Sequence, residues 1–457
     1  MQQSRCLFLG VILTWSLLSL GSPATPESRP QGSEGWFFSA NVRVRTEYLA
    51  DSFRLLAPAH DHLQLSRSEL EVRYQGSSWG LEFEIQDSRA WGEKTFSPLG
   101  TDDANALEPI NAKFLKNWRL DGASELSLTA GRMTLDYGSR RLLARNNFRN
   151  TSNAFQGVHL SHSSRHTTTD MFYTLPLQRR PDALDRASLR DNQFGLDKAG
   201  RGERFWGASY DYRYSTSDAT LAAYVFGSEL RDQGSKPVAD RKLTTAGSRL
   251  TWQRGALDVE AEAAYQWGES LAGVLSSQAD VLDHRAWFTH LHIGIDLKAG
   301  LNFSLAYDHA TGDRNPLDGR NERFDRLYGA RAFELGPSGI FGAALRSNIR
   351  SPALRVLWQS TAQQTWLLSH RWLSLDSSRD FYVPGARRDA SGVSGRDIGR
   401  QWELRWHWKP SDSGFSFELG GAYLDKGAYF AGAGDSLLNP QSSNDSQYLY
   451  AQLGWSY

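Results

Sequence analysis

Apolar and polar positions alternate with a period of two along most of the chain. Leu257, Val259, Ala261, Ala263, Tyr265 and Trp267 alternate with Asp258, Glu260, Glu262, Ala264 and Gln266. Leu291, Ile293, Ile295 and Leu297 are interleaved with His292, Gly294, Asp296 and Lys298. After a turn at Lys298–Gly300 the same rhythm resumes with Leu301, Phe303, Leu305 and Tyr307. Trp402, Leu404, Trp406 and Trp408 repeat it against Glu403, Arg405, His407 and Lys409. Each run predicts a strand close to the roughly 9–11 residues that cross a bilayer when tilted.

Alternation alone also fits a soluble sandwich with one wet face. Two further features favour a membrane barrel. The apolar sets carry aromatics at their ends (Tyr48, Tyr74, Trp79, Trp118, Tyr265, Trp267, Tyr307, Trp408, Tyr423), where the two membrane interfaces would hold them. The connections also alternate between short and long. Tight turns fall near 75–78, 121–123, 163–166, 215–217, 254–255, 298–300, 361–363 and 410–413. Long polar segments fall near 50–62, 88–109, 133–153, 176–203, 229–242, 269–283, 309–348, 375–399 and 425–446. Eight turns and nine long segments make seventeen connections, hence about eighteen strands, with strands five to nine and fourteen to fifteen the least resolved by parity. Short turns on the periplasmic side and long extracellular loops are the barrel arrangement. The last strand, Leu449 to Tyr457, ends with the chain. The expected fold is all-β, a transmembrane antiparallel β-barrel.

Composition agrees. Aromatics reach 12%, with 16 Trp and 41 Gly, which suits strands joined by turns. The one continuous apolar stretch, Cys6 to Leu20, follows Arg5 and precedes Gly21, Ser22, Pro23 and Ala24. It reads as a signal peptide over 1–24, cut after Ala24, because a membrane anchor needs roughly 18 or more apolar residues. Residues 25–35 read as a flexible periplasmic lead-in and 36–457 as the barrel. The single cysteine is Cys6, so the exported part has none to pair. With 51 basic and 51 acidic residues the chain gives no support to nucleic-acid binding.

The polar partners of the lipid-facing set would line the lumen. Parity places Arg43, Arg45 and Glu47 inside on the first strand, and Arg67, Glu69, Glu71 and Arg73 on the second. Glu82 and Glu84 face them from the third. Lys113, Arg119, Arg213, Arg249, Arg355, Arg371 and Arg405 also point inward. This describes either a cationic conduit for carboxylate-bearing solutes or a ladder of cross-strand pairs that stiffens the wall. The acidic run Asp258, Glu260 and Glu262 leaves the sign of the lumen open. His159, Ser161, His162, Ser369 and His370 lack a nucleophile-elbow context, so no enzyme is expected. Asp313, Asn315 and Asp318 approach a calcium loop, but Gly319 falls one place late and Pro316 intervenes. No cofactor is implied.

Three stretches resemble the alginate export family of outer-membrane porins. The first is Gly131-Arg132-Met133-Thr134-Leu135-Asp136-Tyr137-Gly138 with Arg141-Leu142, Asn150-Thr151, Phe155 and Gly157-Val158. The second is Tyr307-Asp308, Thr311-Gly312-Asp313, Asp318-Gly319, Phe324-Asp325, Leu327-Tyr328 and Asn348-Ile349. The third runs from Gly395-Arg396-Asp397-Ile398-Gly399 and Glu403 to Gly421, Tyr423, Lys426-Gly427 and Tyr429-Phe430. The resemblance implies an eighteen-stranded barrel that secretes an anionic polysaccharide through an arginine-lined channel. Arg132, Arg141, Arg145 and Arg149 would carry that role. Met133 departs from the polar glutamine expected there, and strict alternation from Leu126, Leu128 and Ala130 points Arg132 outward.

The reading that follows is a passive, monomeric channel in the outer membrane of a Gram-negative-type bacterium, surrounded by lipid. It would pass an anionic oligo- or polysaccharide, as in export of an alginate-like polyuronate, with a periplasmic secretion partner delivering polymer. The alternatives are a small-solute uptake porin with inward-folded loops, and a closed barrel serving as a surface-binding scaffold.

Overall fold

The computed structural model describes residues 34–121, 123–200, 202–231, 240–271, 281–330, 334–411, 413–431 and 444–457. The expected signal peptide, and the lead-in up to residue 33, lie outside the described residues.

Eighteen strands form the wall. The first seven are β1 (Gly35–Ala50), β2 (His60–Gln75), β3 (Trp79–Trp91), β4 (Asn105–Arg119), β5 (Glu125–Met133), β6 (Phe155–Ser163) and β7 (Thr167–Arg180). Then come β8 (Glu203–Arg213), β9 (Ala219–Leu230), β10 (Arg241–Arg254), β11 (Leu257–Leu271), β12 (Val281–Asp296) and β13 (Leu301–Ala310). The last are β14 (Ile349–Thr361), β15 (Gln364–Ser374), β16 (Asp397–Trp408), β17 (Phe415–Lys426) and β18 (Ser446–Ser456). Each pairs antiparallel with its sequence neighbours, and β18 returns to β1 from Asn41↔Ser456 to Ala50↔Gln447. The sheet is therefore a closed barrel without a free edge, which a β-protein needs inside a bilayer. The connections alternate short and long as the sequence predicts. No helix among the described residues is long and apolar enough to cross a membrane.

Strand parity sorts the two faces. On β1, Val42, Val44 and Tyr48 are exposed to the surroundings while Arg43, Arg45 and Glu47 between them are buried inside. Outward aromatics gather near the turn ends (Trp36, Trp79, Trp118, Trp358, Trp408, Trp455) and the loop ends (Tyr48, Trp206, Trp267, Tyr307, Trp372, Tyr423) of the strands. These are the two interfacial girdles.

One irregularity positions the interior. β5 and β6 have only 9 residues each, beside 15 in β4 and 14 in β7. After Met133 the chain leaves the wall and runs through the lumen before rejoining it at Phe155. The wall above this short hairpin is completed by Gly195–Ala199 from the following loop. That segment pairs with β7 at Leu177↔Ala199 and Arg180↔Gly195, and an Ala106–Phe194 bridge ties it to β4. Val44, opposite Leu453 near the middle of β1, is 53% exposed on the outer face. Val44→Arg is expected to cost about 2–4 kcal/mol of barrel stability in lipid vesicles. Urea-induced unfolding of the refolded chain measures it, and an unchanged midpoint would place this face away from lipid.

Candidate functional site

The segment 134–154 carries four arginines (Arg140, Arg141, Arg145, Arg149) and one acidic residue, Asp136. It enters a part of the lumen whose wall is acidic, and the charges decide where it docks. From β11, Glu260 and Glu262 face inward and meet Arg141, which bonds them at 2.8 and 2.7 Å. Arg145 reaches Glu69 on β2 at 2.8 Å and Glu84 on β3 at 2.7 Å. The wall arginines answer with donors to the segment's main chain. Arg43 donates to the carbonyls of Asn147 and Arg149, each at 2.8 Å, and Arg67 to the same two. Arg45 donates to the Phe148 carbonyl at 2.7 Å, stacks on the Phe148 ring and pairs with Glu47. Irregular backbone buried in a lumen has no ladder to satisfy its carbonyls, and these guanidinium groups do it instead.

A second long segment, 311–348, of which 311–330 and 334–348 are described, lies in the lumen beside the first. The Ala144 amide donates to the Tyr328 carbonyl at 3.2 Å, Tyr328 to Leu142 at 3.0 Å and Ala330 to Arg140 at 2.9 Å. Glu334 binds Arg141 at 2.5 Å and also pairs with Arg346. Burial raises the Glu334 carboxyl, but Arg141 and Arg346 outweigh it and hold it well below the usual carboxylate range. Burial likewise disfavours the Arg141 charge, and Glu334, Glu260 and Glu262 more than compensate. The Ile340 amide donates to Glu47 at 2.9 Å, and Arg54 donates to the Ile340 and Phe341 carbonyls. Phe341, Leu335, Ile340, Phe324, Leu142 and Met133 are fully or nearly fully buried with wall residues such as Phe226, Phe288 and Tyr448. The two segments thus place a packed, partly apolar layer across the barrel.

The structure distributes the arginines named from sequence unevenly. Arg43, Arg45, Arg67, Arg141, Arg145 and Arg149 converge on the lumen segments, as described. Arg371 joins them through Asp308 at 3.1 Å and the Glu334 carbonyl. Arg249 bonds Ser139 at 3.0 Å and lies 3.5 Å from Glu260. Arg405 pairs with Glu403 at 2.6 Å and is fully buried. Arg355 is buried on β14 between Ser304 and Ser369 of its neighbours. Arg73 lies over the Phe37 ring, and Arg213 is exposed at the turn end of β8. Arg132 corrects the expected lumen role. It shares the outer face with Gln156 and Val158, because Met133 and Phe155 beside them are buried inward. There it pairs with Glu108 and donates to the Pro109 and Asp197 carbonyls beneath Gly195–Ala199. Most of these guanidinium groups are engaged by carboxylates or main-chain carbonyls.

Asn315 and Asp318, which with Asp313 only approach a calcium loop in sequence, accept from amides of their own turn, Leu317 and Arg320. Asp313 is buried beside Asp380, and burial and that neighbour push its carboxyl up to about 6. Glu260, His290 and Glu334 bring potential metal-ligand atoms within 4.8 Å of one another. Arg141 and Arg346 already supply positive charge there, which opposes a metal cation. Sequence reasoning missed Glu334, Arg346, His290 and Asp308. The inward parity of His290 and Asp308 was readable, but nothing in the aperiodic 311–348 segment marks Glu334 or Arg346 as lumen residues.

A family model described as alginate export matches residues 36–442. No curated protein matches the sequence. Among solved structures, Pseudomonas aeruginosa OccK3 (OpdO) is 16% identical, with 92% of this chain and 95% of that one covered at a TM-score of 0.51. OccD3 (OpdP) of the same organism is 11% identical over 93% and 91%, at 0.55. A P. aeruginosa OpdK structure with vanillate is 12% identical over 92% and 98%, at 0.54. At these identities the likeness is one of fold.

Arg141→Ala would leave three carboxylates facing one another without their shared cation. The expected cost is about 3–5 kcal/mol, with a larger and noisier single-channel conductance as the segment loosens. Unchanged conductance and thermal stability would mean that Arg141 does not hold the layer. Asp103, next to this layer, is raised to about 7 by burial first, then by Asp102 and Glu47. A raised acid favours the fold below its unfolded pKa, and that contribution is lost as pH rises toward 7. Asp103→Asn is therefore expected to be neutral near pH 4 and stabilising by roughly 2 kcal/mol at pH 8. Urea unfolding at the two pH values tests the sign.

Proposed function

The chain belongs to the alginate export family of outer-membrane β-barrels, and from that premise we propose that it is a constricted channel for small anionic solutes. The observation that carries this reading is the pair of segments, 134–154 and 311–348, joined to each other and to the wall across the lumen. An eighteen-stranded barrel without them would enclose an aqueous channel wide enough for a polymer. With them in place, a polysaccharide chain would have to displace both segments from a shared ion-pair network. A small solute would need only a narrow path beside them. Arg43, whose guanidinium bonds carbonyl and amide oxygens and not a carboxylate, supports an anionic solute over a cationic one. Vanillate, the carboxylate held by one of the structural relatives, belongs to the same chemical class.

Transport is passive in this reading, and one chain suffices, because the β1–β18 seam closes the barrel within a single polypeptide. The family match favours a second reading, export of an alginate-like polyuronate. That reading requires both segments to swing out of the lumen, with a periplasmic partner feeding the polymer.

Liposome swelling and planar-bilayer conductance of the purified, refolded chain separate the readings. The expected result is a small conductance, passage of monomeric uronates faster than neutral sugars of equal size, and exclusion of long oligouronates. Passage of long oligouronates by the unmodified channel would overturn the proposal in favour of export. Absence of conductance would favour a closed surface-binding scaffold.

A further inference from the structure

Two guanidinium groups meet one carboxylate, with a third near by, where loop 92–104, segment 134–154, the extracellular end of β7 and segment 311–348 come together. Arg149 donates to Asp102 Oδ1 at 2.7 Å, and Arg179 donates to the same oxygen at 2.9 Å. Arg326 stands near enough for its charge to bear on Arg149, while one of its own nitrogens donates to the Gly329 carbonyl. The two arginines that touch Asp102 are held by the backbone around them. Arg179 also donates to the Ser152 carbonyl and to Asn153 Oδ1, each at 2.9 Å. The Arg149 main chain is fixed by Arg43 and Arg67. Asp102 differs from its partners in accessibility. Its side chain is 39% exposed, against 7% for Arg149 and 13% for Arg179. The carboxylate is thus the member of the cluster that solvent reaches, and the cations behind it are pre-positioned.

We propose that this cluster is a carboxylate-binding site at the extracellular mouth, in which Asp102 acts as an internal ligand that a solute carboxylate displaces. The two guanidinium groups of Arg149 and Arg179 share the single charge of Asp102, which leaves attraction for a second anion. The planar forks of arginine match a carboxylate better than they match a chloride ion. Two facts support the surplus. Burial and the neighbouring Arg326 and Arg179 pull Arg149 down to about 10 despite Asp102. The adjacent Asp103, whose carboxyl burial pushes up to about 7, adds less than a full negative charge at neutral pH. The ligand class is a small organic acid, a monomeric uronate among them. The inference rests on the small-anion reading of the channel and adds where such a solute is first held.

Single-channel recordings with galacturonate added from the extracellular side test it, with chloride as the background anion. The unmodified channel is expected to show brief, concentration-dependent blocks. Asp102→Asn should tighten the block about tenfold, because the competing internal charge is gone, and Arg179→Gln should weaken it by a similar factor. Arg179→Gln reads the proposal even if the Asp102 variant fails to fold. A conducting channel that galacturonate does not block, or blocks equally in both variants, overturns the site while leaving the constricted channel standing. A channel that passes long oligouronates yet keeps these variant effects would overturn the small-solute reading and leave the site.

Discussion

The wall of this barrel presents carboxylates to its own lumen, and the structure inside is arranged around neutralising them. Glu69, Glu84, Glu260 and Glu262 are all nearly buried on inward faces. Carboxylates in that position are costly unless paired and hydrogen-bonded. Segment 134–154 supplies the pairing through Arg141 and Arg145, and it can do so only by leaving the wall. The shortness of β5 and β6 follows from that departure, as does the need for Gly195–Ala199 to close the gap above them. Segment 311–348 then docks on the first segment through main-chain bonds and through Glu334, which completes the surroundings of Arg141. One electrostatic requirement thus connects the wall, both lumen segments and the patched extracellular rim.

The charges also explain why arginine dominates the interior. The lumen segments carry irregular backbone into a place without a β-ladder, and their carbonyls need donors. A lysine is a compact point charge, whereas a guanidinium offers five donors in a planar fork. Arg43 and Arg67 each serve two carbonyls, and Arg45 serves a carbonyl, a carboxylate and an aromatic ring at once. Buried ion pairs of this kind add little net stability over an apolar core, but losing one partner is expensive. The layer is therefore better understood as fixed in register by complementary charge than as glued by surface area.

Much of the wall was legible in the sequence because strand parity is a local property. The alternation of Leu257 to Trp267, and of Trp402 to Trp408, sorts lipid-facing from inward residues without knowledge of any neighbour. Turn and loop lengths supply the rest, and the eighteen strands follow. The interior was not legible in the same way. Arg43 and Arg405 both read as inward arginines, yet one holds a loop backbone and the other a wall carboxylate. Their partners are 104 residues or more away for Arg43 and only two away for Arg405. Nothing periodic links Arg141 to Glu334, 193 positions later. Arg132 shows the converse: parity alone pointed it outward, family likeness pointed it inward, and the buried Met133–Phe155 pair next to it agrees with parity.

That distinction bears on selectivity. An inward arginine already bonded to a carboxylate and to main chain offers a passing anion a field but no vacant hydrogen bonds. Long-range potential of that kind biases the sign of the solute without recognising its shape. Recognition requires a cation whose partner can leave. Within the central layer the partners are buried: Glu260 and Glu262 are 3% and 6% exposed, and removing either from Arg141 would open the layer itself. At the extracellular rim the partner is Asp102, on a separate loop and reached by water. Bias and recognition are thereby divided between two levels of one barrel. The deeper level can stay packed and rigid because it does not have to exchange ligands, and the outer level can exchange them because it does not have to hold the fold together.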